Sequence, residues 1–397
     1  MAPEAVLLAT PRWTRDGGVG AHVQSSAAAL ARHGVRVGVL AARVEGLAPP
    51  GVAVHHAPRL FDAAAPLHER LADALSLTAP DVIHLHQLDE PSLAAQLRAH
   101  APLAVSAHAY TACASGVHHF RPGSECTRGH GAACVVNLTL RGCAHTRHPK
   151  TLPAKYRNAG RGLATLATAD IAIAYSSAVE RHLADNGIAR RRIVPLFPTL
   201  TPAQGSGHAA RRRVLFAGRL TAPKGLDVLL RAVRDIDAEL VVCGAGRQLA
   251  AMRRLARRLG IDRRVVFRGW LGADALAQEL ADASVVVLPS RWPEPFGLVG
   301  IEALAAGRPV IASLTGGVRD WLAHGVNGLG VPPADPRALA QALEQLLGDP
   351  ARQLAMGEAG REAVAARFSP ERHVEALIDA YAQARSGRRP THRQPAR

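Results

Sequence analysis

The sequence predicts an α/β fold made of two Rossmann-like domains with a cleft between them. Short apolar runs typical of buried strands alternate with helical patterns along the chain of 397 residues. Such alternation indicates parallel sheets covered by helices on both faces. The strand-like runs fall into two sets, and a stretch rich in turn-forming residues, 199–212, separates them as a linker.

The first set of apolar runs predicts an N-terminal domain, residues 1–198. Its predicted strands are Val6–Ala9, Val35–Leu40, Val82–Leu85, Leu103–Ser106 and Ile171–Tyr175. The loop after the first strand contains Gly17 and Gly18, where a backbone without side chains can approach a ligand closely. A dinucleotide fingerprint is an alternative for this loop, although the chain lacks the G-x-G-x-x-G order and an acidic residue at the required distance.

The second set predicts a C-terminal domain, residues 213–367. Its predicted strands are Val214–Ala217, Leu240–Cys243, Val265–Phe267, Val285–Leu288 and Val310–Ala312. Gly218, Arg219 and Lys224 follow the first of these strands, at the carboxyl edge of the sheet, where α/β folds bind ligands. Two cations in that crevice can neutralise a diphosphate and stabilise it as a leaving group.

A segment with two carboxylates, Glu294 and Glu302, lies between the last two predicted strands of the C-terminal domain. Phe296, Gly297 and Leu298 stand between the carboxylates and predict the entry into a helix. Exposed amides at a helix N-terminus attract an anion, and carboxylates accept hydrogen bonds from sugar hydroxyls. Phosphate-seeking amides flanked by hydroxyl-seeking carboxylates suit a nucleotide sugar.

The full string of this segment, P-E-P-F-G-L-V-G-I-E-A-L-A-A-G-R-P-V-I-A, resembles the E-x7-E motif of retaining GT-B glycosyltransferases of family 4. The resemblance implies that Glu294 holds the donor sugar and that Glu302 holds the nucleotide ribose. It implies that Phe296, Gly297 and Leu298 line the donor site. Arg219 and Lys224, in a G-R-L-x-x-x-K-G pattern with Gly218, would stabilise the departing diphosphate.

In the N-terminal half, the resemblance is carried by the pair Gly17-Gly18 and by His108, which follows a predicted strand. It implies that the glycine pair lies near the reaction centre and that His108 lies beside the donor sugar. The family often continues His-Asp at this point, whereas Ala109 follows here. Two further histidines resemble family positions near the cleft, His84 and His86.

The resemblance implies a GT-B fold and retaining transfer of a sugar, with a hexose expected, from a nucleoside diphosphate sugar to an acceptor hydroxyl. The leaving phosphate would take the acceptor proton, so neither a protein base nor a catalytic metal is required. A helix at residues 368–385 would cross back to the N-terminal domain, and the basic tail 386–397 is expected to be disordered. Two alternatives remain open, a GT-B-fold nucleotide-sugar epimerase and a non-catalytic sugar-binding scaffold.

An insert at about residues 110–150 carries most of the thiols of the chain. Four of the five cysteines lie there, namely Cys113, Cys126, Cys134 and Cys143. In a cytoplasmic chain, clustered thiols bind metal or pack more often than they form disulfides. A structural zinc held by these cysteines, with or without a histidine, is one expectation. An iron–sulfur cluster and packed or oxidised cysteines are the alternatives.

The formal net charge is +16, yet aromatic residues make up only 4% of the chain, which argues against a nucleic-acid stacking platform. An anionic partner is expected instead, either a membrane surface or a phosphorylated acceptor. Basic residues crowd the insert and its flank: Arg121, Arg128, Arg141, Arg147, Lys150, Lys155 and Arg157. No targeting or membrane-spanning run is recognisable, which predicts a cytoplasmic protein with a peripheral contact at the inner membrane face.

Overall fold

Two parallel β-sheets, each flanked by helices, make up the computed structural model. It describes residues 3–14, 17–70, 79–116, 125–140, 143, 151–203 and 212–387. The predicted α/β class with two Rossmann-like domains is confirmed. The predicted tail falls almost wholly outside the described residues, and so do residues 204–211 of the predicted linker.

The N-terminal sheet has seven parallel strands in the order β3-β2-β1-β4-β5-β6-β7. The strands are β1 (Ala5–Trp13), β2 (Arg36–Val44), β3 (Val52–His56), β4 (Val82–His86), β5 (Leu103–Ala107), β6 (Ile171–Ala174) and β7 (Arg191–Ile193). The described helices are α1 (Gly18–Arg32), α2 (Pro91–His100), α3 (Ala132–Thr139), α4 (Leu152–Thr168) and α5 (Ser177–Asp185). Sequence analysis missed β3 and β7, because these edge strands are half-exposed and carry polar residues.

The C-terminal sheet has six parallel strands in the order β10-β9-β8-β11-β12-β13. The strands are β8 (Arg213–Ala217), β9 (Glu239–Cys243), β10 (Val265–Gly269), β11 (Val285–Leu288), β12 (Val310–Ser313) and β13 (Gly328–Val331). The helices are α6 (Leu226–Ala232), α7 (Leu249–Arg258), α8 (Ala273–Asp282), α9 (Leu298–Ala305), α10 (Pro336–Leu347) and α11 (Pro350–Arg367). The short strand β13 was missed, since two of its four residues are glycine.

Each sheet reverses its strand order beside its first strand, between β1 and β4 and between β8 and β11. In open α/β sheets, ligands bind in the crevice outside the carboxyl ends of the strands at this switch point. The loop with Gly17 leaves the end of β1, the loop with Arg219 leaves the end of β8, and the loop with Glu294 leaves the end of β11. The topology therefore brings the predicted site residues to two sheet edges.

The last helix, α12 (Pro370–Ser386), packs against the N-terminal sheet. It begins two residues after the predicted start, because the chain turns at Phe368 and Ser369 caps the new helix at Arg372 N. One hydrophobic cluster contains residues of β1, β8 and α12, so the core is continuous from one sheet to the other. The helix extends to Ser386, the first residue of the predicted disordered tail.

A cluster of five histidines, four of them buried, lies between α12 and the N-terminal sheet. His373 of α12 donates from Nδ1 to Pro195 O at 2.7 Å, and its Nε2 lies 2.9 Å from Ser26 Oγ. Tyr381 OH lies 2.8 Å from His84 Nδ1. The members of this histidine cluster are His22, His84, His86, His108 and His373.

Burial keeps this cluster neutral, because a charged imidazole away from water loses its hydration. Burial is the largest cause that lowers the pKa of His84 and of His108, each to about 3. Burial also lowers the pKa of His373, to about 4. The pKa values of His22 and His86 are lowered well below the usual value, again chiefly by burial.

We expect the free energy of unfolding to fall as the pH is lowered from 7 to 5. Between the folded pKa values of 3–4 and the ordinary value of 6.5, the unfolded chain binds more protons than the folded one. The stabilisation is therefore complete above pH 6.5 and is lost as the pH falls. Each such histidine adds a slope of about 1.4 kcal/mol per pH unit. Urea denaturation at several pH values measures it.

The control for this expectation compares two histidine substitutions. His373→Gln removes one buried titrating group and should make the pH dependence shallower, whereas His33→Gln alters an exposed side chain and should leave it unchanged. An unfolding free energy that stays constant between pH 7 and pH 5 would contradict the neutral state of the cluster.

Candidate active site

The loops that follow β8 and β11 are held together by a close backbone contact at Gly225. Gly225 has φ 69°, and a Cβ atom there would lie only 1.9 Å from the carbonyl oxygen of Pro289. Arg291 N donates to Pro223 O across the same contact, at 2.7 Å. Only glycine fits this position, and the contact sets Lys224 beside the acidic segment.

The buried Glu294 and the partly exposed Lys224 form an ion pair at the centre of this edge. Glu294 Oε1 accepts from Lys224 Nζ at 2.7 Å, from Trp292 Nε1 at 3.0 Å and from Ser290 Oγ. The Glu294 residue is only 2% exposed. Burial alone would raise the pKa of Glu294, but the Lys224 ammonium and the three hydrogen bonds outweigh burial and lower it. Glu294 is therefore an anion.

The three hydrogen bonds leave one oxygen of Glu294 available. All three donors use Oε1, and Oε2 accepts no hydrogen bond from the residues that the structure describes. An ionised carboxylate has about four lone-pair sites, so Oε2 can accept from the hydroxyl groups of a ligand. Sequence analysis assigned Lys224 and Glu294 to different parts of a ligand and did not anticipate that the two side chains pair.

The backbone of Glu294 lies at the boundary between the domains. Its carbonyl oxygen accepts from Gly317 N at 2.7 Å, and Tyr110 OH of the N-terminal domain lies 3.5 Å from the same oxygen. Gly316 has φ 59°, and a Cβ there would lie 2.2 Å from this carbonyl oxygen. The turn at 316–317 therefore packs directly on the acidic segment.

Helix α9 presents its N-terminus at the same edge of the sheet. Gly297 precedes the helix with φ 86° and has no side chain that could cap the first amides. Phe296 is buried, its ring packs edge-to-face on Phe368 at 5.8 Å, and its carbonyl oxygen accepts from Trp321 Nε1 at 2.7 Å. Leu298 begins the helix. This rigid, uncapped helix end can bind an anion.

Arg219 supplies a second cation. It follows Gly218 at the end of β8 and is exposed, and its side chain forms no hydrogen bond or ion pair with any residue in the described part of the chain. Lys224, by comparison, is already neutralised by Glu294. Arg219 and the amides of α9 are thus the groups best suited to bind a phosphate.

Glu302 lies within α9 and is buried, with 6% of its surface exposed. Its Oε1 accepts from Thr199 Oγ1 at 2.8 Å, and burial raises the pKa of Glu302. Thr199 belongs to the predicted linker, and sequence analysis assigned it no role. No sequence signal could have identified this bond, since the two residues are 103 positions apart.

From the N-terminal domain, Gly17 and Gly18 form the start of α1, and Gly17 has φ 86°. No atom lies within 4 Å of a Cβ built at either residue. The approach of this pair to a ligand stays a prediction, and the close contact within the protein lies at Gly20, where a Cβ would lie 2.8 Å from Thr14 O. Gly17 is needed for its backbone angle, whereas Gly20 is needed for space.

His108 follows β5 and is half-buried. Its Nε2 lies 3.0 Å from Nδ1 of His86, and its ring stacks on Tyr175 with a centroid distance of 5.0 Å. The family resemblance placed His86 near the cleft without a role. In the structure, His86 is the hydrogen-bond partner of His108. Their positions at the ends of the adjacent strands β4 and β5 were the signal that could have paired them.

The Cys/His insert also reaches the C-terminal domain. Glu125 Oε1 accepts from Arg319 Nη1 at 2.6 Å, from Gly316 N at 2.9 Å and from Thr315 Oγ1 at 3.2 Å. Sequence analysis gave Glu125 no role. Of the basic residues that crowd the insert and its flank, Arg128, Lys155 and Arg157 are described, and the others lie outside the described residues.

Four predicted metal ligands of the insert share one cavity. It is lined by Cys113, Cys126, Cys134 and Cys143 together with His130 and His182. The cysteines are free thiols, and burial raises the pKa of Cys143 to about 11. Within the described ranges, no three Cys, His, Asp or Glu side chains stand in an arrangement that could hold a metal ion. The zinc site therefore stays a prediction.

No helix in the described part of the chain is long and apolar enough to span a membrane.

Comparison with known proteins places this geometry in a family. Residues 16–197 match the family described as Glycosyltransferase Family 4, and residues 204–363 match Glycosyl transferases group 1. A D-inositol 3-phosphate glycosyltransferase of Xylanimonas cellulosilytica is 40% identical over 190 residues. That match covers 46% of this chain and 44% of the relative, so the chain spans less than half the length of that relative.

Two solved structures show the same fold. Sucrose-phosphate synthase from Thermosynechococcus elongatus has a TM-score of 0.73 at 24% identity, covering 97% of this chain and 100% of that one. Anabaena HepE in complex with UDP-glucose has a TM-score of 0.67 at 20% identity, covering 96% and 99%. The predicted GT-B fold is thereby confirmed. Since the two family matches together span most of the chain, the protein belongs to the glycosyltransferases of family 4, with a group 1 glycosyl transferase domain as its C-terminal half.

Proposed function

We propose that the protein transfers a hexose, with retention, from a nucleoside diphosphate sugar to an acceptor hydroxyl. The observation that carries this proposal is the ionised Glu294, whose Oε2 stays available beside the Lys224 ammonium, on the loop that leads into the uncapped N-terminus of α9. Such a set suits a ligand with hydroxyl groups at one end and phosphates at the other. The UDP-glucose in the complex of the structurally similar HepE supports this class of donor.

In this proposal, the diphosphate lies between Arg219 and the amides at the start of α9. Lys224 stabilises the charge that develops when the bond between the anomeric carbon and the phosphate oxygen breaks. Glu294 accepts hydrogen bonds from the sugar hydroxyls and holds the reacting carbon in place, while Glu302, steadied by Thr199, accepts from the ribose. His108 contacts the sugar from the N-terminal domain.

The acceptor hydroxyl attacks from the face that the diphosphate leaves. A new bond forms between the acceptor oxygen and the anomeric carbon, and the departing phosphate oxygen takes the acceptor proton. No protein base is needed, which fits a site whose carboxylates are both hydrogen-bonded and buried. Lys224, held in place by Glu294, supplies an N–H donor, and the exposed Arg219 supplies the unmatched positive charge where other enzymes use a metal.

We further propose that the acceptor is anionic. The insert presents Arg128, and the adjoining α4 presents Arg157, both exposed. The name of the relative from Xylanimonas cellulosilytica specifies a phosphorylated acceptor, which supports this class. A lipid with an anionic headgroup has the same chemistry and would bring the protein to a membrane surface.

The function is tested in two steps. A thermal-shift screen over UDP-, GDP- and ADP-sugars identifies the donor, and transfer assays then compare phosphorylated, lipid-linked and neutral acceptors. Product formation that requires an acceptor and keeps the anomeric configuration supports the proposal. Conversion of the donor without any acceptor would point to an epimerase, and binding without turnover would point to a scaffold.

We expect Arg219→Ala and Lys224→Ala each to reduce kcat/KM by roughly 100-fold, the effect of losing one charge donor to a transition state. Steady-state kinetics with a soluble acceptor measure the change. Arg254→Ala is the matched control, because Arg254 is an exposed cation on α7 of the same domain. Near-native rates for both site variants would overturn the diphosphate assignment.

The two carboxylates should behave differently. Glu294→Gln should mainly lower kcat, since it removes the charge that holds the sugar and partners Lys224, whereas Glu302→Ala should mainly weaken nucleotide binding. Calorimetry with the free nucleoside diphosphate, alongside kinetics, separates the effects. Thr199→Val removes the hydrogen bond that the linker residue donates to Glu302, so this variant should also weaken nucleotide binding. Equal loss of nucleotide affinity in both Glu variants would contradict the assignment of Glu294 to the sugar and of Glu302 to the ribose.

The prediction of a structural zinc rests on the cavity in the insert. We expect the purified protein to contain about one tightly bound zinc, because four thiols surround one small cavity and zinc prefers four Cys or His ligands. Elemental analysis after washing with chelator measures it, with Cys243→Ser as the control because Cys243 lies in β9, away from the cavity. If the purified protein is metal-free and fully active, the zinc prediction is wrong and these cysteines serve to pack the insert.

A further inference from the structure

We propose that His86 is a positioning residue that sets the tautomer of His108. In this arrangement His86 donates its Nδ1–H to Nε2 of His108, so that His108 carries its own proton on Nδ1 and acts as a hydrogen-bond donor. The inference rests on the proposed function in one respect, namely that His108 contacts the donor sugar. The tautomer itself is a property of the protein and can be tested without turnover.

The geometry requires one shared proton between the two rings. His86 Nδ1 and His108 Nε2 are 3.0 Å apart, a hydrogen-bond distance. A neutral imidazole has one N–H and one bare nitrogen, so two facing nitrogens attract each other only when one of them carries a proton. Two bare lone pairs would repel, and so would two N–H groups.

The environment of His86 decides which ring donates. Its other nitrogen, Nε2, is buried and has no hydrogen-bond partner among the described residues. If His108 were the donor, His86 would have to carry its single proton on Nε2, as a buried N–H without an acceptor. Buried orphan N–H groups are rarer than buried acceptors without a donor. The favoured arrangement therefore places the proton of His86 on Nδ1.

Among the described residues, no carboxylate hydrogen-bonds to His108. The groups packed around the pair are aromatic or neutral at physiological pH: the His84 ring lies 4.0 Å from His86, Tyr175 stacks on His108, and His22 lies 5.8 Å from His108. The residue after His108 is Ala109, which offers no side-chain acceptor. His86 thus orients His108 without adding a negative charge near a departing diphosphate.

A rigid frame holds the pair. His84 Nε2 lies 2.7 Å from Ser106 Oγ, and Ser106 Oγ lies 2.6 Å from Tyr175 OH, whose ring supports His108. His84 Nδ1 is bonded to Tyr381 of α12. In the described part of the chain, the side chain of His108 is therefore held by one hydrogen bond, from His86, and by its stacking on Tyr175, with His22 edge-on beside it.

The direct test is nuclear magnetic resonance of the full chain labelled with nitrogen-15 in its histidines. The resonances of His108 and His86 are assigned by their loss in His108→Asn and His86→Asn. We expect His108 to show a protonated Nδ1 and a bare Nε2 at pH 7.5. A protonated Nε2 on His108 in the wild-type protein would overturn the proposal without the need for any other variant.

The kinetic test compares two substitutions of His86. His86→Leu removes the donor and should lower kcat by roughly 10- to 100-fold, as for loss of an orienting partner, while nucleotide affinity stays unchanged. His86→Asn can place its amide N–H where Nδ1–H lies and should recover most of that loss. Tyr175→Phe keeps the stacking ring and is the control for general disturbance of the frame.

The outcomes separate this inference from the proposed function. Equal loss in His86→Leu and His86→Asn, or an unchanged kcat in both, would overturn the positioning role. The expected tautomer in a wild-type protein that transfers no sugar would overturn the proposed function and leave the assignment of His86 and His108 standing.

Discussion

The site depends on one ion pair, between the partly exposed Lys224 and the buried Glu294. A carboxylate that is 2% exposed would be costly as an isolated anion, and the ammonium with two neutral donors offsets that cost at a single oxygen, Oε1. The pair forms only because Gly225 allows the loop after β8 to touch the carbonyl oxygen of Pro289. The loops of β8 and β11 are thereby joined at the point where the sheet order reverses.

This pairing determines which groups in the cleft keep an unmatched charge. Because Lys224 is matched by Glu294, the net positive charge at the sheet edge rests with Arg219 and the uncapped start of α9. An anion is then attracted to those groups, while Oε2 of Glu294 remains an acceptor for hydroxyl groups. In the proposed function, Glu294 binds hydroxyl groups and the start of α9 binds phosphate, and both lie on the segment that follows β11.

On the N-terminal side of the cleft, by contrast, the polar groups of the histidine cluster are neutral. Four buried histidines and the half-buried His108 lie there; serine and tyrosine hydroxyls hydrogen-bond to His22, His84 and His373, and α12 contributes Tyr381 and His373. In a chain with a net charge of +16, these imidazoles add no further charge at neutral pH. Helix α12 thus packs in the N-terminal core and also supplies a hydrogen-bond partner, Tyr381, to the histidines next to His108.

The sequence by itself determined the fold class, ten of the thirteen described strands and the residues at the carboxyl edges of the two sheets. Buried parallel strands are apolar throughout, and the loops that leave their carboxyl ends carry the polar residues, so pattern alone is informative there. The edge strands β3, β7 and β13 escaped detection because they are short, polar or rich in glycine. Tertiary structure alone decided the partners of each site residue. The bonds of Glu294 to Lys224, Glu302 to Thr199 and His86 to His108 join residues 70, 103 and 22 positions apart, and they arise from the packing of separate loops, which leaves no local trace in the sequence.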